Sequence, residues 1–287
     1  MASASNRART ALSIALRGSL HEALTDHFVG GSHTRRFADN LLPGLSQAQV
    51  MALREQILAG AGGELRPSKS GRRPAHAPYS SAALAANVFG RWLGSEQHQR
   101  IAGLARFSEP LEVESRQRIA HGGGTANVDC LLRNDDIVVG VESKLTETLS
   151  PHKPVAWKEP YHRSEMGSLL GDQWRDVLEA SREGHWRPKH LGIEQLIKHA
   201  LALASQFQER ELHLVYVWWE PTNADEIEEL HTHRADVAEL SGRVGKSAPR
   251  LHALTYAELF AEWGELSSPS WLSEHVAQLH ARYTVAI

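Results

Sequence analysis

The segment from residue 127 to residue 145 most constrains what this chain can fold into. Two short apolar runs, 128–132 and 137–141, flank the polar tetrapeptide Arg133-Asn134-Asp135-Asp136. β-Branched residues on both sides of an Asn-Asp turn predict a β-hairpin. The charged residues of this segment therefore belong to two neighbouring strands, and their spacing can be interpreted in terms of strand faces.

The hairpin brings together an unusual set of charges. With Leu132 facing Ile137 across the turn, Asp129, Glu142 and Lys144 project from one face, because side chains alternate along a strand. The Cα atoms of Asp129 and Glu142 are then roughly 7–8 Å apart as diagonal neighbours, so the two carboxylates can hold one divalent cation. A structural pair of Asp129 with Lys144 is the alternative, since an unpaired buried carboxylate is costly.

Composition limits the class of protein. The chain has 287 residues, 41% hydrophobic and 23% charged, which is ordinary for a globular protein with one sizeable core. No apolar run approaches the length of a membrane span. A single cysteine, Cys130, excludes an internal disulfide and favours a reducing, cytoplasmic location. The formal net charge of −3 means that any site for a polyanion must be a local basic patch.

The N-terminal third predicts helices followed by a loop. Residues 1–20 are rich in Ala, Ser and Arg, a composition that both a transit peptide and a frayed helical N-terminus can have. Because the apolar core of a secretory signal is absent, we favour the helical N-terminus. Together, 19–29 and 46–60 predict an N-terminal helical layer. Residues 61–80 contain several Gly and Pro and mostly positive charges. This loop is either a solvated surface segment or an arm that contacts phosphates.

The rest of the chain alternates strands and helices. Ser80 or Ser81 caps a helix, an extended segment leads to a glycine-rich entry into the hairpin, and 146–190 is an insertion with a helix at 166–183. The further predicted elements are a helix at 193–207, a strand covered on both faces at 212–219, and a strand and helix within 251–263.

This order predicts an α/β fold with a mixed central sheet and helices on both faces. We divide it into an N-terminal helical region with the basic loop, 1–79, and a second domain, 80–287. The stretch 209–239 is acidic and is expected to face water, with His231 and His233 on its surface.

The ordered motifs resemble the PD-(D/E)XK nuclease superfamily, the restriction-endonuclease-like fold. The resemblance rests on Asp129, on Glu142-Ser143-Lys144 in the next strand, and on Gln195 in the following helix. It covers roughly residues 80–265, and the wider sequence is similar to uncharacterised bacterial restriction-endonuclease-like proteins. Two positions depart from the pattern: Val128 replaces the usual proline, and His199 stands where a related helix motif has tyrosine.

The resemblance implies a metal-dependent endonuclease that acts on DNA. Asp129 and Glu142 would hold Mg²⁺, with Mn²⁺ as an alternative, through hard oxygen ligands. Lys144 would stabilise developing negative charge, and Gln195 would position a water or a phosphate. A defence or restriction role and a homodimer are both compatible with this class.

Two other functions stay open at this point. The chain could bind DNA or a partner protein without cleaving it, or it could be a metal-dependent nuclease that acts on RNA. Metal binding that depends on Glu142 distinguishes catalysis from a binding module.

Overall fold

The computed structural model describes residues 2–19, 28–29, 33–60, 63–69, 71–95 and 100–287. Its helices are α1 (Ala4–Ser19), α2 (Gln47–Ala59), α3 (Ser81–Phe89), α4 (Ser164–Ser168), α5 (Asp172–Glu183), α6 (Ile193–Gln206), α7 (Glu228–Val244), α8 (Tyr256–Gly264) and α9 (Leu272–Tyr283). Its strands are β1 (Phe28–Val29), β2 (His33–Thr34), β3 (Arg100–Ile101), β4 (Leu104–Ala105), β5 (Glu112–Ile119), β6 (Gly124–Arg133), β7 (Ile137–Lys144), β8 (Glu211–Trp218) and β9 (Arg250–Thr255).

A five-stranded sheet, ordered β5-β6-β7-β8-β9, carries the fold. The first three strands are antiparallel, and β7, β8 and β9 are parallel, so the sheet is mixed as predicted. The parallel strands are connected through helices, as parallel pairing requires. β8 lies between two parallel neighbours and is buried along seven of its eight residues, which explains its continuous apolar sequence.

Helices cover both faces of the sheet and enclose two apolar cores. One core contains side chains of α1, α2, α3, α8 and α9, and the other contains side chains of α4, α5, α6 and α7. Ala8 and Leu12 of α1 lie in the same core as Leu84 of α3. The N-terminal region therefore packs directly on the sheet domain, and the boundary at residue 79 stays a prediction.

The hairpin register differs from the predicted one. Leu132 pairs with Val139 and not with Ile137. The Asn134 N–H donates to the Ile137 carbonyl at 3.0 Å, and Asn134 Oδ1 accepts the Ile137 N–H at 2.8 Å. Asn134 and Ile137 thus form the last pair of the hairpin, because the short Asn134 side chain hydrogen-bonds to the nearby backbone. Only the two residues after Asn134 form the turn. The partner of each β6 residue shifts by two.

Other sequence predictions had mixed outcomes. The helices predicted at 46–60, after Ser80, and at 193–207 are confirmed. Of the segment 19–29, residues 20–27 lie outside the described part of the chain, and Phe28–Val29 is a strand. The single helix predicted at 166–183 is two helices, because the chain turns at Gly171. A Cβ there would lie 2.2 Å from Ser247 Oγ.

The prediction that 209–239 faces water was wrong for β8, which is buried along seven of its eight residues, and for one side of α7. Helix α7 buries one side, with Leu230, Val237 and Leu240 packed in the cores. His233 is fully buried, and its Nε2 lies 2.8 Å from the hydroxyl of Tyr216. The acidic residues occupy only the outer face of this amphipathic helix. Among the described residues, no helix has the length and apolar character that crossing a membrane requires.

We expect Asn87→Ala to destabilise the protein strongly. Asn87 is fully buried: its Oδ1 accepts the Leu42 N–H at 2.7 Å, and its Nδ2 donates to the Asn40 carbonyl and the Tyr283 hydroxyl. Truncation leaves these buried partners without a hydrogen bond, which lowers the free energy of unfolding by about 2–4 kcal/mol. Denaturant unfolding measures the change.

The exposed Asn6 in α1 supplies the control. Asn6→Ala should alter the free energy of unfolding by less than about 0.5 kcal/mol. An equal effect of the two substitutions would contradict a special role for the Asn87 network.

Candidate active site

Three acidic residues occupy one level across three neighbouring strands. The register between β5 and β6 places Glu114 opposite Asp129, and the register between β6 and β7 places Asp129 opposite Glu142. Adjacent strands lie roughly 4.7–4.9 Å apart. We name Glu114, Asp129 and Glu142 the acid row.

The regular alternation of side chains breaks at the acid row. Ala126 and Cys130 are four positions apart in β6, so regular alternation would place both on one face. They nevertheless pack in the cores on opposite faces of the sheet. The ladder between β5 and β6 omits the Glu114–Asp129 pair, and Glu114 has a φ of 54°. Positive φ is uncommon outside glycine, and such backbone strain is concentrated at functional sites. The acid row therefore lies where both β5 and β6 depart from regular strand geometry.

Asp129 turns toward the main chain of β7. Its Oδ2 accepts the N–H of Ser143 at 2.6 Å. The Ser143 hydroxyl lies on the other side of the strand, 2.6 Å from the hydroxyl of Tyr256 at the start of α8. Asp129 is thus held beside Glu142 and Lys144 by the backbone of the strand that carries them.

Helix α6 contributes two polar side chains to the other end of the site. The Lys144 ammonium forms an ion pair with Glu142 and donates a 2.9 Å hydrogen bond to Gln195 Oε1. His199 is one helical turn further on, and its Nδ1 lies 3.1 Å from Glu142 Oε2. The structure therefore brings together all four residues predicted from the sequence, Asp129, Glu142, Lys144 and Gln195.

Burial and mutual repulsion dominate the electrostatics. Burial raises the pKa of Asp129 well above its usual value, and Glu142 raises it further. Burial and the neighbouring Asp129 raise the pKa of Glu114 to about 8. Burial also raises the pKa of Glu142, an effect that Lys144 opposes. Burial and mutual repulsion therefore favour the protonated, neutral forms of these carboxyl groups in the metal-free protein.

The two basic groups respond in opposite directions. Burial would lower the pKa of Lys144, but Glu142 and other nearby acids outweigh it, so the net pKa is raised and the ammonium keeps its proton. Burial lowers the pKa of His199 to about 3, and Lys144 lowers it further. His199 is therefore a neutral imidazole at physiological pH, and Lys144 is the cation of this cluster.

The donor set suits a divalent metal in its chemistry. Both carboxylate oxygens of Glu142 are buried, and neither has a hydrogen-bond partner of good geometry among the described residues. Carboxylate oxygens are hard donors of the kind that Mg²⁺ prefers. Within the described residues, no three His, Cys, Asp or Glu side chains are already close enough together to hold an ion. Binding of a metal by the acid row would therefore require its side chains to change rotamer.

A cavity of about 580 Å³ opens beside the site. The cavity is adjacent to the site because it is lined by Thr146 and Glu147, which directly follow the strand that carries Lys144. Glu147 Oε2 accepts the Leu145 N–H at 2.8 Å. The remaining walls come from α1, from His33 of β2, from Glu64, from the segment 74–81 that leads into α3, and from the insertion at 150–153. Its basic lining residues include Arg9 and Lys153.

Sequence reasoning missed Glu114 and assigned no contact to His199. His199 is four residues after Gln195, so its presence on the same side of α6 was readable from helical spacing. Glu114 was not readable in this way, because its position depends on how β5 pairs with β6. That register is set by a turn in which Gly123 packs tightly: a Cβ there would lie 2.4 Å from Ile119.

Comparison with known families decides the class of the chain. A family model described as restriction endonuclease associating with ARP matches residues 26–284. The chain belongs to this family. Its match spans both the N-terminal region and the sheet domain, including every residue of the site. Comparisons with curated proteins and with solved structures found no significant match.

We expect Asp129→Asn to leave the metal-free protein as stable as the wild type or more stable. The asparagine Oδ1 can still accept the Ser143 N–H, while the buried repulsion within the acid row is removed. A gain of about 1 kcal/mol corresponds to an increase of about 2–4 °C in Tm for a protein of this size class.

Thermal unfolding in the presence of a chelator tests this expectation. Asp135→Asn, an exposed acid at the tip of the same hairpin, is the matched control and should leave Tm unchanged. A fall of several degrees for Asp129→Asn alone would show that Asp129 serves mainly to stabilise the fold.

Proposed function

We propose that this protein is a metal-dependent endonuclease that hydrolyses phosphodiester bonds of DNA. The observation that carries the proposal is the convergence of Asp129, Glu142 and Lys144 in a buried, carboxylate-rich cluster, within a chain of the family described as restriction endonuclease associating with ARP. The order of the motifs and the mixed sheet are compatible with the PD-(D/E)XK class, to which we assign it.

Asp129 and Glu142 are the proposed protein ligands of Mg²⁺, with Mn²⁺ as an alternative. When bound, the metal polarises the phosphate and lowers the pKa of an attacking water. Asp129 is oriented for this role by the Ser143 N–H. Glu142 brings two carboxylate oxygens that lack other hydrogen bonds among the described residues.

Lys144 acts as an electrostatic stabiliser rather than as a base. The surrounding acids raise its pKa, so it carries a positive charge at neutral pH. A fixed ammonium beside the scissile phosphate stabilises negative charge that develops in the transition state. Gln195 holds this ammonium through a 2.9 Å hydrogen bond, and we assign it the role of a positioning residue.

The basic groups around the cavity are the proposed contacts to the nucleic-acid backbone. Arg9 and Lys153 line the cavity beside the site. The loop that borders it carries further exposed cations: Arg66, Lys69, Arg72 and Arg73. Because the whole chain has a net charge of −3, these groups form a local basic patch on a surface that is not basic overall. Such contacts position the backbone without selecting a sequence.

One observation favours a second candidate, a module that binds DNA without cleaving it. The Lys144 ammonium forms an ion pair with Glu142, and the acid row does not enclose a coordination shell in its present rotamers. If this ion pair persists in solution in the presence of metal, the same surface binds nucleic acid but supplies no metal centre.

We expect Asp129→Ala and Lys144→Ala each to abolish cleavage while the fold is retained. Asp129→Ala removes a metal ligand, and Lys144→Ala removes the charge that stabilises the transition state. Losses of at least about 100-fold in rate are expected for groups of this kind. The assay compares duplex DNA, single-stranded DNA and RNA with Mg²⁺ or Mn²⁺, and circular dichroism verifies folding.

Asp135→Ala and Lys246→Ala are the matched controls, since both residues are exposed and neither belongs to the acid row. They should cleave at the wild-type rate. Undiminished cleavage by either site variant would refute its assigned role. Preferential cleavage of RNA would correct the substrate, and no cleavage by the wild type with intact DNA binding would favour the binding module.

A further inference from the structure

The cavity beside the acid row has an aromatic ring in its wall. Tyr79 is half-buried and lines the cavity. The Arg9 guanidinium lies over this ring, with its central carbon 5.2 Å from the ring centroid. The His33 ring meets the Tyr79 ring in a T-shaped contact, with the centroids 6.1 Å apart and the planes at 82°. These two contacts hold the Tyr79 ring in one orientation at the wall of the cavity.

The charged groups that line the cavity differ in their exposure. Arg9 and Lys153 are exposed, whereas Glu64 and Glu147 are half-buried. Burial raises the pKa of Glu64, and the neighbouring Glu147 raises it further. Within the part of the chain that the structure describes, no hydrogen bond joins the Glu64 carboxyl group to another residue. The cavity is therefore lined by cations on its solvent side and by carboxyl groups further in.

This distribution of groups matches the parts of a nucleotide. Phosphate groups are attracted by cations and repelled by carboxylates, so they belong on the solvent side. A nucleobase is flat and stacks on aromatic rings and on guanidinium planes. Adenine, cytosine and guanine also carry amino groups that can donate to carboxyl oxygens. The half-buried ring and carboxyl groups therefore suit a base, and the exposed cations suit its backbone.

A base can stack in this cavity only when it is unpaired. The cavity has a volume of about 580 Å³ and is enclosed by several separate segments of the chain. Within a duplex, the faces of each base are covered by its neighbours in the stack, and only its edges face the grooves. In a single strand the faces of the bases are free to stack on a protein ring. The wall that Tyr79 forms therefore favours a single strand over a duplex.

The cavity is also close to the proposed reaction centre. Thr146 lines the cavity and follows Lys144 by two residues, so their Cα atoms are at most roughly 7 Å apart. A nucleotide bound in the cavity therefore belongs to the same short stretch of strand as a phosphate beside Lys144.

We propose that this cavity binds an unpaired nucleobase of single-stranded DNA, stacked on Tyr79, with Arg9 and Lys153 at its backbone. The inference rests on the proposed function, and it narrows the substrate of that function from DNA in general to a single strand.

Binding in the absence of metal tests the inference separately from cleavage. With a chelator present and at one salt concentration, fluorescence anisotropy measures the Kd of the full chain for three labelled ligands. These are a mixed-sequence single strand of about twelve nucleotides, the same length of strand with every nucleotide abasic, and the duplex of the first strand. The wild type should bind the intact strand at least about fivefold more tightly than the abasic strand, and more tightly than the duplex.

Substitutions at Tyr79 separate stacking from contacts to the backbone. Tyr79→Leu removes the ring and keeps an apolar side chain, so the Kd for the intact strand should rise at least about fivefold while the Kd for the abasic strand stays the same. Tyr79→Phe keeps the ring and should bind like the wild type. Lys153→Ala removes a contact to the backbone and should raise the Kd for both strands by the same factor.

Trp271→Leu is the matched control. Trp271 is also a partly buried ring beneath an arginine, with the central carbon of the Arg91 guanidinium 4.8 Å from its centroid, but it is not part of the cavity lining. Its Kd for each ligand should match that of the wild type. Tm is measured for every variant, since a loss of fold would weaken binding of the intact and the abasic strand together.

The outcomes separate this inference from the proposed function. The cavity is not a base site if the wild type binds intact and abasic strands equally, or if folded Tyr79→Leu weakens binding of both strands, or of the duplex, by the same factor. Cleavage by the wild type with Mg²⁺ would then still support the proposed function. If the preference for the intact strand depends on Tyr79 but neither Mg²⁺ nor Mn²⁺ gives cleavage, the base site stands and the proposed function is overturned.

Discussion

The burial of like charges within one level of a β-sheet is the constraint on which the rest of this structure depends. Carboxylates on neighbouring strands repel each other, and removal from water makes the repulsion stronger. The chain offsets it in part with the Lys144 ammonium and with the Ser143 N–H that binds Asp129. The remaining repulsion and the burial raise the pKa of Asp129 and of Glu114, which is compatible with the cation-binding role that we propose for this site. Stability given up at one place for function is a general feature of enzymes.

The fold supplies the rigidity that such a site requires. The acid row lies on strands whose other residues are anchored in two apolar cores, so the charged groups cannot move away from each other by moving the backbone. Helix α6 packs on one face of the same sheet and brings Gln195 to the end of Lys144. The polar groups of the site thus come from three strands and a helix, and each element is fixed by apolar packing elsewhere along its length.

Much of this arrangement could be predicted from the sequence, because it depends on local patterns. The hairpin, the buried strand β8 and the amphipathic helix α6 follow from apolar periodicity. The pairing of the hairpin could not be predicted correctly, since Asn134 joins the closing pair through its own side chain. The error in register was two residues, and a shift of two leaves each side chain on the same face of its strand. The prediction that Asp129 lies near Glu142 therefore survived the mistake, although the two residues are directly opposite each other and not diagonal.

Glu114 and α7 show what local patterns miss. Glu114 belongs to the acid row because of how β5 pairs with β6 and because the alternation of side chains is broken there. Neither feature can be predicted from the residues next to Glu114 in the sequence. The acidic composition of α7 concealed a buried stripe that packs against the sheet.

The most direct test of the central claim is a crystal structure of the protein soaked with Mn²⁺ and measured at the manganese absorption edge. The account predicts an anomalous peak between Asp129 and Glu142, with carboxylate oxygens about 2.0–2.3 Å from the ion and the Lys144 ammonium displaced from Glu142. A map without a peak there, with the ion pair of Lys144 and Glu142 intact, would contradict it.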